Sequence, residues 1–127
     1  MRMHDSRTAY LFVPSVRRQP FALVQGTNMI GREVDPEVAI ALPLQSVSRR
    51  HAHIELNERY AWELTDIGSR NGTLLNGRKL EPYTPAILND GDRISICGYE
   101  LHFNFHLDAN ASPTLTYEEF LALDEFR

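Results

Sequence analysis

Cysteine is almost missing from this sequence: Cys97 is one thiol in 127 residues, so no disulfide can staple the chain internally. The alternation around it, Arg93-Ile94-Ser95-Ile96-Cys97, predicts a buried apolar side chain on a strand. An unpaired thiol fits a reducing compartment, and a cytoplasmic setting is expected. Long apolar runs are missing too. None approaches the ~20 residues that a membrane span needs. Near the start only Ala9 to Pro14 is apolar, short for a secretory signal and without a small-residue cleavage site. Positive charge is outnumbered, 13 Lys and Arg against 17 Asp and Glu, a formal net charge of -4. The basic field of a nonspecific nucleic-acid binder is therefore absent, and neither nucleic acid nor membrane is an expected partner. His51 and His53 would share one face of a strand, yet no cysteine or carboxylate cluster with zinc spacing joins them. No lysine-bearing phosphate loop and no strand–glycine-rich–helix unit occurs either. No metal and no cofactor is expected.

What is present is the balance of an ordinary globular domain, 43% hydrophobic and 24% charged residues. At this length one domain can bury a real core without staples. The apolar pattern has period two. Leu101, Phe103, Phe105 and Leu107 alternate with Glu100, His102, Asn104 and His106; the two histidines are expected on a solvated face. Ala52, Ile54 and Leu56 alternate in the same way, and after a turn at Asn57-Glu58-Arg59 so do Tyr60, Trp62 and Leu64. These two runs read as a hairpin, with Trp62 in the core. Further short strands are expected over 9–14, 20–25, 28–32, 38–42, 73–75, 79–80 and 86–88. Between them stand turn signals such as Asn71-Gly72, Asn76-Gly77 and Asn89-Asp90-Gly91-Asp92. Many short strands at this spacing predict an all-β sandwich or barrel. The tail differs. Residues 108–115 read as a linker, and Thr116-Tyr117-Glu118-Glu119 has the form of a capping box opening a short helix over 117–126. The expected division is a domain over 8–107 and an extension over 108–127. Thr114 and Thr116 are candidate modification sites in that extension.

Three segments carry residue types that are costly unless a loop demands them: Gly31-Arg32, Ser48-Arg49-Arg50-His51, and Asp66 through Thr73 with Asn76-Gly77 after it. A phosphate on a peptide brings nearly two negative charges and several strong acceptor oxygens. Arginine offers a planar fork of donors matched to such oxygens. Serine hydroxyls and turn amides complete a cradle, and asparagine can bond the main chain of an extended ligand. Glycines such as Gly72 beside it permit tight turns. Arg50 reads equally as solvated or as part of the site.

The order Gly-Arg, Ser-x-x-His, Ser-x-Asn-Gly-Thr and Asn-Gly resembles the forkhead-associated (FHA) domain family over roughly residues 9 to 107. The resemblance implies an FHA-like (SMAD/FHA) sandwich of about eleven short, mostly antiparallel strands with its site at one end. It implies a phosphothreonine-dependent binding module in signalling, whose partners are phosphorylated proteins, and a monomer is expected. By the same resemblance Arg32 pairs with the phosphate, Ser48 donates its hydroxyl to it, and Arg49 contacts or flanks it. Asn71 would hold the ligand backbone. Arg70 stands where many members carry threonine and adds a cation. Gly31 and His51 would brace the loops, and Asn76 and Gly77 would tie neighbouring loops together.

Two other readings compete. Ser48, His51 and Asp66 can be cast as a catalytic triad, but Val47 and Arg49 flank the serine and no nucleophile elbow surrounds it. No enzyme is expected. A phosphate-independent interaction domain of the same fold is the other alternative, disfavoured by intact Arg32, Ser48 and Asn71.

Overall fold

The structure is a computed structural model and describes residues 8–105. Leu107, His106 and the expected linker and helix over 108–127 lie outside the described residues. Eleven strands are described: β1 (Tyr10–Phe12), β2 (Phe21–Ala22), β3 (Thr27–Gly31), β4 (Ile40–Ala41), β5 (Ala52–Leu56), β6 (Trp62–Asp66), β7 (Leu74–Leu75), β8 (Arg78–Lys79), β9 (Ala86–Ile87), β10 (Arg93–Ile96) and β11 (Tyr99–Asn104). They form two sheets, ordered β2-β1-β11-β10-β7-β8 and β4-β3-β5-β6-β9. Every pairing is antiparallel except β3 with β4, which run parallel through Ile30↔Ile40 and Gly31↔Ala41.

Alternation places the core between the sheets, because only one face of each strand can be dry. Ile54 opposes Leu64 in the β5–β6 register, and both are fully buried. From the other sheet Leu11, Ile94, Leu101 and Phe103 meet them, around a Trp62 with no exposed surface. A polar side chain is buried alongside. Asn28 is buried on β3, where its amide donates to the Val24 and Ile54 carbonyls at 2.9 Å and accepts from the Val24 N–H at 2.8 Å. Full pairing removes the cost of burying it.

Three local expectations need correction. Tyr60 is not a strand residue. The Asn57 side chain accepts the N–H groups of Arg59 and Ala61 at 2.7 and 3.0 Å, which folds a longer turn and sets Tyr60 at φ 62°. Cys97 is not a buried strand residue either. It and Gly98 are the two turn residues between β10 and β11, with φ of 50° and 90°, the form of a two-residue hairpin that matches strand twist. The Cys97 thiol is half-buried and donates to the Ser46 carbonyl at 3.2 Å. Lastly, His102 is half-buried against the Phe12 ring, 6.3 Å between centroids, so it is not simply solvated. Burial and the nearby Arg93 cation lower its pKa, and Glu100 partly opposes them.

Truncations that look equal in the sequence should have unequal costs. Leu64→Ala, at a fully buried site, should destabilise the domain by about 2–5 kcal/mol. Val34→Ala, at a site 72% exposed, should change it by less than about 0.5 kcal/mol. Urea titration of both variants checks this, and equal midpoints would contradict a core between the two sheets.

Candidate functional site

Three loops at one end of the sandwich carry the singled-out residues: β3–β4 with Arg32, β4–β5 with Ser48 and Arg49, and β6–β7 with Arg70 and Asn71. Each is fixed by polar groups that the strands hold in place.

The β6–β7 loop is built on the Asp66 carboxylate, 2% exposed at the end of β6. Its Oδ1 accepts the Gly68 and Ser69 N–H groups, both at 2.9 Å. Its Oδ2 accepts the Ser69 and Thr73 hydroxyls at 2.6 and 2.7 Å. Ser69 Oγ in turn accepts the Gly72 N–H at 2.8 Å. Four donors on one carboxylate wind residues 66–73 into a single conformation. Burial alone would raise the Asp66 pKa. The Ser69 and Thr73 hydroxyls, with the Ser69 and Gly68 amides, more than offset it and hold the carboxyl below its ordinary range.

His51 joins that loop to the next. It is fully buried just before β5. Its Nδ1 accepts the Ser48 N–H at 3.1 Å, so Nε2 carries the ring proton and donates to the Gly72 carbonyl at 2.8 Å. Both ring nitrogens are thus committed to backbone, and Ser48 Oγ is bonded elsewhere. The catalytic-triad geometry does not form: Asp66 faces Ser69 and Thr73, and His51 faces main chain. Gly31 serves the same loop sterically. A Cβ there would lie 1.9 Å from the Arg49 carbonyl oxygen, so only glycine lets β3 approach the β4–β5 loop this closely.

These supports gather Arg32, Ser48, Arg49 and Arg70, with Gln45, Ser46 and Val47, around one open cleft of about 270 Å³. Arg32 Nε donates to the Val47 carbonyl at 2.8 Å, which aims the rest of its guanidinium. Ser48 Oγ accepts the Arg70 N–H at 3.0 Å, leaving the hydroxyl proton to be donated. Asn71 Nδ2 donates to the Ser46 carbonyl at 2.8 Å, so its Oδ1 remains the acceptor toward solvent. Arg50 is not in the cleft. Its Nε meets Glu37 Oε1 at 2.6 Å and its Nη2 meets Asp35 Oδ2 at 3.3 Å. Asn76 and Gly77 lie apart from the cleft. They form the β7–β8 turn with φ of 51° and 85°. The Asn76 amide bonds Asp92 Oδ1 at 3.0 Å and accepts the Arg93 N–H at 2.9 Å, tying two loops together.

Sequence reasoning missed Asp66 as the organiser of its loop, and missed the carbonyls of Ser46 and Val47 as anchors. Asp66-x-Gly68-Ser69 is an Asx-turn pattern and was a readable signal. The two carbonyls left none.

The family described as "FHA domain" matches residues 28–97. An oxoglutarate dehydrogenase inhibitor of Corynebacterium efficiens is 42% identical over 83 residues, 65% of this chain and 54% of its own length. The chain spans about half the length of that relative, and 12% of a mouse angiogenic factor with G patch and FHA domains. Among solved structures, Mycobacterium tuberculosis EmbR in complex with a low-affinity phosphopeptide superposes with a TM-score of 0.67 at 30% identity, over 77% of this chain and 24% of that one. A structure solved for phosphothreonine-dependent FHA domain interactions gives 0.67 and 30%, over 78% of this chain and 97% of that one.

The two buried supports can be tested apart from any ligand. His51→Ala should cost about 1–3 kcal/mol by leaving the Ser48 N–H and the Gly72 carbonyl without their partner; a melting curve unchanged from wild type would refute the bridging role. Asp66→Asn should destabilise at pH 7 by a similar amount, about 1–3 kcal/mol, because an amide nitrogen then faces donors. A lowered folded-state pKa means the stabilisation from Asp66 is present above the unfolded value of 3.8 and fades as pH falls through the folded value. The stability gap between wild type and Asp66→Asn should therefore narrow in acid. A constant gap from pH 7 to pH 2 would show that its charge is not what matters.

Proposed function

The chain belongs to the FHA domain family, and from that premise we propose that it is a phosphothreonine-dependent binding module whose partners are phosphorylated proteins or peptides. One observation carries the reading: three arginines and a serine hydroxyl with a free proton converge on one cleft of an otherwise acidic chain. In the proposed binding mode Arg32 and Arg49 meet the phosphate through charge-assisted hydrogen bonds, and Ser48 donates its hydroxyl. Asn71 accepts from the ligand main chain through Oδ1. Arg70 lines the same cleft. Gly31, His51 and Gly72 keep the loops in place, and Asn76 with Gly77 steadies the neighbouring turn.

FHA domains are binding modules, and the commitment of both His51 nitrogens to backbone supports binding over hydrolysis by this chain. The relatives' roles as an inhibitor, an angiogenic factor or EmbR belong to those longer proteins. The division into a binding domain over 8–107 and an extension over 108–127, a cytoplasmic setting and a monomeric state are parts of the same proposal. The Arg32 guanidinium, which spends only its Nε on the Val47 carbonyl and lines the cleft, supports this reading over a phosphate-independent interaction domain.

A phosphothreonine peptide selected from a library should bind with micromolar affinity or better, and its unphosphorylated copy at least tenfold more weakly, about 1.4 kcal/mol. Calorimetry returning equal affinities would overturn the proposal. Arg32→Ala should lose that discrimination. Because Arg32 also holds the Val47 carbonyl, the variant should lose no more than about 1.5 kcal/mol of stability. Affinity should fall as salt rises, since the cleft is exposed to screening. It should fall again as pH drops through about 6, where the phosphate dianion takes up a proton and loses half its charge.

A further inference from the structure

The cleft holds more positive charge than one phosphate requires. A phosphothreonine carries about -1.5 to -2 charges at neutral pH. Arg32 and Arg49 together match that. Arg70 lines the same cleft as a third cation, and among the described residues no aspartate or glutamate lines it. The fold has means of neutralising a loop arginine and uses them next door. Arg50 is held between Glu37 and Asp35 at 2.6 and 3.3 Å. Among the described residues the guanidinium groups of Arg49 and Arg70 have no such counterion. Arg70 is also placed with care at its backbone. Its N–H is fixed to Ser48 Oγ at 3.0 Å, and the next residue, Asn71, is fixed to the Ser46 carbonyl at 2.8 Å. Its side chain therefore starts from a defined point beside the serine and one residue from the asparagine proposed to hold the ligand backbone.

We propose that Arg70 takes a second anionic group of the ligand, a carboxylate or a second phosphate within three residues of the phosphothreonine, so that the preferred partner is a phosphothreonine in acidic surroundings. This rests on the reading of the cleft as a phosphothreonine site and narrows it. The physical reason is compensation. Three like charges around a small cleft repel one another, and a dianion cancels only two of them. A flanking anion cancels the third, at a position that side-chain reach allows and backbone anchoring fixes. A second phosphate carries more charge than a carboxylate and offers the guanidinium a bidentate partner, so it should be the stronger of the two.

The experiment is a peptide series measured by calorimetry against the whole chain. One phosphothreonine peptide has alanine at the three positions on each side. Variants carry a single glutamate at each of those positions in turn, or a second phosphothreonine there. The unphosphorylated alanine peptide is the reference. Wild type should bind the phosphorylated alanine peptide above the reference. At one or more positions glutamate should tighten binding by about twofold to fivefold, the factor an exposed ion pair supplies, and phosphothreonine by more. In Arg70→Ala the ratio between acidic and neutral peptides should collapse to one, and in Arg70→Lys it should persist for glutamate. If the phosphorylated alanine peptide binds no better than the reference, the phosphothreonine reading itself fails. If it binds but no acidic position gains, or if the gain survives in Arg70→Ala, that reading stands and the role given to Arg70 is wrong.

Discussion

A buried carboxylate is costly unless its oxygens are filled, and the binding end of this sandwich is organised around one that is. Asp66 sits at the end of β6 with four donors within 2.9 Å, two amides and two hydroxyls. It has no cation among these partners, so hydrogen bonds alone offset its desolvation. The consequence is conformational. Ser69 is held by its amide and its hydroxyl, Gly72 is held through Ser69, and the stretch between them has little freedom left. That stretch contains Arg70 and Asn71. The side chains proposed to meet a ligand are therefore exposed on a segment whose backbone is tied to a dry group beneath it, which is how a loop can be both accessible and preorganised.

His51 extends this order across the chain. Its ring spans from the Ser48 amide to the Gly72 carbonyl, so the serine loop and the arginine–asparagine loop move together or not at all. Gly31 closes the third side by letting β3 touch the Arg49 carbonyl. No one of these contacts is strong. A single hydrogen bond contributes about 1 kcal/mol net. The His51 pair acts because it joins two different loops, so losing it loosens both.

How much of this was legible in the residues varied with the physical origin of each feature. Strand positions were readable, because alternation of the kind seen at Ala52, Ile54 and Leu64 has one cheap explanation. Turns with a local code were readable too, as at Asn76-Gly77. Tyr60 and Cys97 misled for the same reason. Each continues an alternating pattern by composition, yet turn geometry starting from Asn57 and Gly98 claims it first. The cleft arginines were legible as a set, but the separation of Arg50 from Arg49 was not, because it depends on where Asp35 and Glu37 fall in space. The Ser46 and Val47 carbonyls could not be found at all. A backbone acceptor looks alike at every position until the fold puts a donor against it.

The pairing of β1 with β11 has a bearing on how such a unit is used. Tyr10 lies opposite Asn104, so the described chain enters and leaves its sheet side by side. The other end of β11 begins at the Cys97–Gly98 turn, whose thiol reaches the Ser46 carbonyl beside the cleft. Six residues of strand, about 20 Å, separate the two ends. A chain that passes through the domain is thus attached at a single point, remote from the loops. The cleft can therefore change without disturbing the strand pair at which the described chain enters and leaves. Such a unit is portable: it can hang from a host chain much as a tag hangs from a cord.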